Sequence, residues 1–253
     1  MKCLVAAGLI AVSVAGCGTR VPTGADSARP QIKVAAAASL TEPFTGYGEQ
    51  FEPADAAFSF GASDELAAQI RSGALPDVYA AANTTLPDEL AKEGLVGEPV
   101  AFATNSLVVG VPADSGLESI EDLEQSGRSV VIGSETVPVG VYTRMVLERL
   151  PDEGEAILAN VRSEEPDVKG VLGKLTQGAA DAGFVYDSDV IATKGQLRAI
   201  ELPSKLQPDV AYGIAVVEGT EFPEQGQEFI DGLLQGSGAE ALAEAGFGPS
   251  PDE

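Results

Sequence analysis

Short apolar segments alternate with helical patterns along the whole chain from residue 31 onward, and this alternation most constrains the fold. A strand-like run at 32–36 is followed by a helical pattern at 40–51, and the same order repeats towards the C-terminus. Such βαβ alternation predicts an α/β fold with mainly parallel sheets flanked by helices. The cycle starts again after about residue 110, and two cycles of about 100 residues each predict two lobes.

The hydrophobic periodicity places eight strands and eight helices. The predicted strands lie at 32–36, 57–60, 77–81, 106–111, 129–132, 183–186, 198–202 and 212–217. The predicted helices lie at 40–51, 64–71, 86–93, 139–150, 155–160, 168–177, 224–234 and 239–245. The pattern alone leaves open whether the two lobes are sequential or interleaved.

Charge and residue types exclude several classes of function. Among the 253 residues, 15 Lys and Arg stand against 39 Asp and Glu, a formal net charge of −24. No nucleic-acid partner is expected, because neutralising phosphates requires clustered cations. The chain has no histidine, and both cysteines, Cys3 and Cys17, lie near the N-terminus. Beyond them the chain therefore has no Ser-His or Cys-His nucleophile pair and no zinc site built on imidazole or thiolate.

The N-terminus has the pattern of an export signal. Lys2 precedes thirteen largely apolar residues, 4–16, which are too few to span a bilayer as a helix. The run ends in Val-Ala-Gly-Cys at 14–17, which resembles a bacterial lipobox. We expect residues 1–16 to be a signal peptide, Cys17 to be lipidated, and 17–30 to be a flexible tether. An ordinary signal peptide with a chance cysteine is the alternative.

Two serines stand where a predicted strand meets a predicted helix. Ser39 has capping-box spacing with Glu42, and Ser63 occupies an N-cap position before the helix at 64–71. Each junction would offer a hydroxyl, free backbone N–H groups and the positive end of a helix dipole, which suit an anion. The alternative is that both serines are structural caps.

Three further segments present similar chemistry. Pro138 and Gly140 would shape a tight loop with exposed amides, and Asp167 is a predicted cap of the helix at 168–177. Tyr186 ends an apolar strand, where its hydroxyl would reach a ligand at the carboxyl edge of a sheet. Ordinary helix starts and a core tyrosine are the alternatives. Carboxylate pairs such as Asp187 with Asp189 are interpreted as solvated faces.

Together these segments resemble the molybdate-binding proteins of bacterial ABC importers. The matching segments, in order, are 35–40 (AAAASL), 60–63 (FGAS), 73–78 (GALPDV), 105–108 (NSLV), 137–142 (VPVGVY), 167–170 (DVKG), 185–189 (VYDSD) and 246–247 (GF). The resemblance implies a two-lobed, hinged periplasmic-binding-protein fold of type II, in which the second lobe is inserted into the first. The lobes would then comprise 31–109 with 207–253, and 110–206.

The resemblance also implies a ligand and a set of binding residues. Ser39 and Ser63 would donate hydroxyls and amides, Val139 and Val168 would donate backbone amides, and Tyr186 would donate its hydroxyl to molybdate or tungstate. The protein would be no enzyme and would need no cofactor. It would be a monomeric, lipid-anchored protein outside the cytoplasm that delivers the anion to an ABC permease.

Three alternatives stay open from the sequence. They are a binding protein for another oxyanion such as sulfate, a small-carboxylate enzyme on the same fold, and the effector domain of a transcription regulator.

Asp64 follows Ser63, where relatives more often carry Gly or Ser, and its side chain is expected to point to solvent. A carboxylate turned inward at this position would repel an oxyanion.

Overall fold

The computed structural model describes residues 29–251. The predicted signal peptide, Cys17 and most of the predicted tether lie outside the described residues. Within 29–251, no helix combines the length and apolar character needed to cross a membrane.

The described residues form ten strands and nine α-helices. The strands are β1 (Gln31–Ala37), β2 (Asp55–Gly61), β3 (Val78–Ala81), β4 (Val100–Asn105), β5 (Leu107–Pro112), β6 (Val130–Gly133), β7 (Val161–Glu165), β8 (Ala182–Tyr186), β9 (Leu197–Glu201) and β10 (Val210–Val216). The helices are α1 (Thr41–Gln50), α2 (Ser63–Arg71), α3 (Thr85–Lys92), α4 (Pro138–Glu148), α5 (Pro151–Ala159), α6 (Val168–Thr176), α7 (Asp187–Ala192), α8 (Pro223–Gln235) and α9 (Ser237–Glu244).

The strands form two five-stranded sheets, each with its own helices. The first sheet has the order β2-β1-β3-β10-β4, and α1, α2, α3, α8 and α9 pack with it as the first lobe. The second has the order β7-β6-β8-β5-β9 and carries α4 to α7 as the second lobe. The predicted α/β class and two-lobed architecture are thereby confirmed.

The sheets are mixed, which corrects the prediction that they are mainly parallel. In each sheet two strand pairs are parallel and two are antiparallel. The antiparallel pairs all involve β5 or β10, the strands that enter directly from the other lobe. A strand that arrives without a crossover helix is free to run antiparallel to its neighbours, which the helix–strand alternation does not reveal.

The chain crosses between the sheets twice. Ser106 separates β4 of the first sheet from β5 of the second, and residues 202–209 lead back from β9 to β10. The boundary that the resemblance implies after residue 109 therefore falls inside β5, because the chain passes to the second sheet already at Ser106.

Central strands are buried on both faces, as the apolar runs predicted. All residues of β3, β6 and β8 are buried. On one face of the first sheet, Leu66 and Ile70 of α2 and Leu90 of α3 pack against Tyr79. This packing fixes the carboxyl ends of the strands, from which the site is built.

Three elements were not predicted. β4 has the sequence VAFATN and ends in two polar residues, β7 is an edge strand with the sequence VRSEE, and α7 has only six residues. None of them has the apolar period that marks a buried strand or an amphipathic helix.

Candidate functional site

A cavity of about 20 Å³ lies between the two lobes. It is lined by Ala37, Ala38, Ser39, Gly61, Ala62, Ser63, Ala82, Val137, Pro138, Val139, Asp167, Val168 and Tyr186. All five predicted site residues, Ser39, Ser63, Val139, Val168 and Tyr186, are among them. The cavity is smaller than the ~300–1,000 Å³ typical of sites for drug-sized ligands, so it suits a small solute.

The lining residues share one structural position. Each lies at, or a few residues beyond, the carboxyl end of β1, β2, β3, β6, β7 or β8. Ligands of open α/β sheets bind at this edge. Because α2, α4 and α6 begin at the cavity, their first-turn N–H groups and dipoles are directed towards it.

Ser39 lies in a short 3-10 turn, Ala38–Leu40, that precedes α1. The predicted capping box is wrong, because Leu40 is the N-cap of α1 and no side chain caps it. The serine is buried instead, and its Oγ lies 3.0 Å from the Tyr212 hydroxyl oxygen. Glu42, the other member of the predicted box, forms an ion pair with Lys169.

Ser63 is the first residue of α2, and Ala62 rather than Ser63 is its N-cap. The predicted cap is therefore wrong by one residue. The Ser63 Oγ accepts a hydrogen bond of 3.1 Å from the Ala82 backbone N–H. The Tyr79 hydroxyl donates to the Ser63 carbonyl at 2.7 Å. With its oxygen held as an acceptor, the Ser63 hydroxyl can direct its proton into the cavity.

Backbone amides of the second lobe complete the opposite wall. Val139 is the second residue of α4, where α-helical geometry supplies no carbonyl for its N–H. Gly140 allows α4 to approach the preceding loop, since a Cβ there would lie 1.9 Å from the Ser134 carbonyl oxygen. Val168 is the first residue of α6, and the predicted cap Asp167 accepts from the Gly170 N–H at 2.9 Å.

Tyr186 ends β8 with 0% of its surface exposed. Within residues 29–251 its hydroxyl has no hydrogen-bond partner. Burial raises the pKa of this phenol well above 10, and the nearby Tyr212, Tyr142 and Asp189 raise it further. The group therefore stays protonated at neutral pH and is available as a donor to a ligand in the cavity.

The cavity wall contains no cation among its described residues. Asp167 is the one carboxylate in that wall, and it is engaged as a helix cap. Asp64 is not a lining residue, and its carboxylate accepts from the Glu65 N–H at 3.0 Å. The wall thus offers neutral donors rather than formal charge, as expected for an anion site built on helix starts.

Charged groups lie just behind this wall. Lys169 follows Val168 and reaches Glu42 of the first lobe at 2.9 Å. The same ammonium group lies 3.6 Å from Asp189, which is 1% exposed. Burial raises the pKa of Asp189 to about 7, although Lys169 opposes the rise. The interpretation of Asp187 and Asp189 as one solvated face is therefore wrong for Asp189.

Tyr212 and Asn105 were missed as neighbours of the site. Tyr212 is the first residue of a predicted apolar strand, and this context predicts only that its ring packs in the core. Asn105 lies in the unpredicted β4, and its side chain donates to the Ser188 hydroxyl at 2.7 Å. Their proximity to Ser39 depends on the pairing of distant strands, which no local pattern reveals.

Comparison with known proteins decides the family. The model of bacterial extracellular solute-binding proteins matches residues 32–248. The chain belongs to this family. The solute-binding protein is 36% identical to the molybdate-binding protein ModA of Mycobacterium tuberculosis over 96% of its own length and 95% of that protein.

Two solved structures share the fold of this solute-binding protein. The periplasmic molybdate-binding protein of Azotobacter vinelandii gives a TM-score of 0.76 at 22% identity, covering 85% of this chain and 98% of that one. The sulfate-binding protein SubI of Mycobacterium tuberculosis gives 0.77 at 16% identity, covering 87% of each chain. At these identities the likeness establishes the fold, so the choice of solute depends on the cavity.

Proposed function

We propose that this solute-binding protein captures molybdate or tungstate in the cavity between its lobes and delivers the anion to an ABC permease. The 36% identity to a molybdate-binding protein over nearly the full length supports the choice of anion. The proposed ligands are the hydroxyls of Ser39, Ser63 and Tyr186 and the backbone amides of Val139 and Val168.

The buried hydroxyl of Tyr186 is the observation that carries this proposal. An unpartnered hydroxyl at 0% exposure lowers the stability of the folded protein by about 1–3 kcal/mol. A bound oxyanion removes this penalty by accepting a hydrogen bond from the hydroxyl. The same group faces two serines and two helix starts across a cavity without cations. The four oxygens of a tetrahedral oxyanion, each with several lone pairs, can accept from all five of these donors.

The strongly acidic chain does not prevent anion binding. At physiological ionic strength the Debye length is about 8 Å, so the surface charge contributes little inside the cavity. Hydrogen bonds to a charged group contribute about 1.5–3 kcal/mol each. Several donors fixed before binding are enough for micromolar affinity, which corresponds to about −8 kcal/mol.

The donor chemistry also selects among anions. Hydrogen phosphate carries an O–H that needs an acceptor, and a wall of donors offers none to it. Sulfate is fully deprotonated and differs from molybdate by its smaller size, so it is the second candidate solute. Tungstate matches molybdate in size and charge, and we expect the two to bind alike.

An enzyme on the same fold is disfavoured by the residues of the cavity. The chain has no histidine, and the described cavity wall has neither a thiol nor a cation to activate a carboxylic acid substrate. Its carboxylate, Asp167, is engaged with Gly170. Binding and release of an unchanged solute is the function these groups suit.

The placement of the protein in the cell is part of the proposal. Membership of the extracellular solute-binding family supports a location outside the cytoplasmic membrane. We further propose that a lipid on Cys17 anchors the chain, that it acts as a monomer, and that the lobes meet at Ser106 and at 202–209. The membrane partner is then the permease.

Element analysis after competitive loading tests the proposal. The purified protein is equilibrated with equal concentrations of molybdate, tungstate, sulfate and phosphate, freed of unbound anion, and analysed for Mo, W, S and P above the protein's own sulfur. One equivalent of Mo plus W per chain is expected. Retention of sulfate or phosphate instead would contradict the assigned solute.

A further inference from the structure

We propose that Tyr212 is a positioning residue that fixes the Ser39 hydroxyl as a hydrogen-bond donor, so that the site rejects oxyanions carrying a proton. This inference rests on the proposed function and identifies the part of the protein that sets its specificity. Tyr212 lies on β10, outside the cavity wall, and acts through Ser39.

The contact between Ser39 and Tyr212 allows two arrangements of protons. Their oxygens are 3.0 Å apart, and both side chains are buried. If Ser39 donates to Tyr212, an oxygen lone pair of Ser39 faces the cavity and repels an anion. If Tyr212 donates to Ser39, the serine proton is free for the anion.

The acidity of the two hydroxyls favours the second arrangement, in which Tyr212 donates to Ser39. A phenol, with an ordinary pKa near 10, is a stronger donor and a weaker acceptor than an aliphatic hydroxyl. The hydrogen bonds therefore run from Tyr212 to Ser39 and from Ser39 into the cavity. The Ser63 hydroxyl is oriented in the same way, because its oxygen accepts from the Ala82 N–H and its proton is left for the cavity.

Aromatic packing holds the Tyr212 hydroxyl in place. The ring makes edge contacts with Phe102, Tyr186 and Phe247 at centroid distances of 6.1, 5.8 and 5.3 Å. These contacts do not involve the hydroxyl, so a phenylalanine at position 212 keeps them. Removal of the hydroxyl then frees Ser39 to rotate and to accept a proton from a ligand.

The test compares the affinities of wild type and Tyr212→Phe for molybdate and for phosphate at pH 7. We expect molybdate affinity to fall about five- to tenfold and the ratio of molybdate to phosphate affinity to fall at least about tenfold, which is ~1.4 kcal/mol. Tyr47→Phe is the matched control. The Tyr47 hydroxyl is buried and donates to the Phe229 carbonyl at 3.1 Å, with no contact to the cavity. It should leave the ratio unchanged.

A double-mutant cycle separates positioning from general damage. In the Ser39→Ala background, Tyr212→Phe should change molybdate affinity less than about twofold, because the group through which it acts is absent. Tyr212→Met is a second route if Tyr212→Phe does not fold, because its flexible side chain fills the space of the ring without a hydroxyl. It should lower the same affinity ratio.

Each outcome decides between the two proposals. Equal loss of affinity for both anions, or additive effects in the cycle, would overturn the role of Tyr212 while wild-type molybdate binding keeps the proposed function. If phosphate binding stays below detection in all variants, the molybdate cycle alone decides. Wild-type protein that binds none of the anions overturns both proposals.

Discussion

At the scale of single residues, the Tyr186 hydroxyl links stability to binding. It is buried without a partner within the described chain, and the proposed anion would satisfy it. We expect Tyr186→Phe to lower molybdate affinity about 10- to 150-fold, as loss of a 1.5–3 kcal/mol hydrogen bond implies. The ligand-free protein should unfold at equal or higher denaturant concentration, because an unsatisfied hydroxyl is removed.

Titration calorimetry together with urea unfolding measures both effects. Tyr47→Phe is again the control, and it should show the opposite combination. Its hydroxyl is satisfied by Phe229, so its loss should cost about 0.5–1.5 kcal/mol of stability and leave affinity unchanged. Unchanged affinity in Tyr186→Phe would remove this tyrosine from the site.

Asp189 gives the protein a specific dependence on pH. Its pKa is raised to about 7 by burial, above the ordinary 3.8, so the folded state binds this proton more tightly than the unfolded state. The group therefore lowers stability progressively as pH rises from about 4 to about 7. The charged neighbours that face it are Lys169 and, behind that ammonium group, Glu42.

We expect Asp189→Asn to gain stability relative to wild type when the pH is raised from 5 to 8. The amide has no charge to bury, whereas the wild-type carboxyl loses its proton in this interval. Melting temperatures at both pH values provide the measurement, and the exposed Asp114→Asn is the control. If the difference in melting temperature between variant and wild type is the same at both pH values, the proposed effect of burial on Asp189 is contradicted.

At the scale of elements, the site depends on how helix starts meet strand ends. Gly140 is where this approach is closest, because a Cβ would lie 1.9 Å from the Ser134 carbonyl oxygen. Gly140→Ala should therefore displace the start of α4 and the Val139 amide. We expect a loss of stability and about a tenfold loss of molybdate affinity, or ~1.4 kcal/mol.

Gly46→Ala is the matched control for this prediction. Gly46 lies inside α1 with nothing within 4 Å of an added Cβ. There the alanine should raise stability by about 0.5–1 kcal/mol through its helix propensity and leave affinity unchanged. Thermal unfolding and titration of both variants provide the measurement, and a stabilised Gly140→Ala would refute the close approach.

Local patterns predicted the elements better than their arrangement. Strand runs and stop signals such as Gly73 and Gly94, both with positive φ, define most helices and strands to within a few residues. The roles of Ser39 and Ser63 as caps were wrong, because a serine at a strand–helix junction has the same local sequence whether it caps or faces a cavity. Tyr212 and Asn105 were missed, and the interpretation of Asp189 as solvated was wrong, because these surroundings depend on contacts between distant segments.

At the scale of the whole molecule, the lobes contact each other beside the cavity. Lys169 of α6 and Glu42 of α1 form an ion pair of 2.9 Å across the cleft. The end of α4 is tied to the returning segment, because Arg149 donates to the carbonyls of Leu206 and Gln207 at 3.1 Å. Closure about the crossings at Ser106 and 202–209 would be a hinge motion in which the first of these contacts forms and breaks.

Glu42→Gln should weaken this closed form. The partners are partly exposed, so the pair is worth about 0.3–1 kcal/mol, and molybdate affinity should fall about two- to fivefold through faster release. The loss should shrink in 1 M salt, where such pairs are screened. Stopped-flow release measurements test this, with Glu93→Gln as the control, since Glu93 pairs with Arg71 within the first lobe.

We propose that a neutral cage of donors between the lobes binds molybdate or tungstate. Calorimetric titration of the purified protein with molybdate, tungstate, sulfate and phosphate is the decisive experiment. We expect one site per chain for the first two anions, with micromolar or lower dissociation constants, and much weaker binding of phosphate. Preferential binding of sulfate or phosphate, or no binding of any of the four, would contradict it.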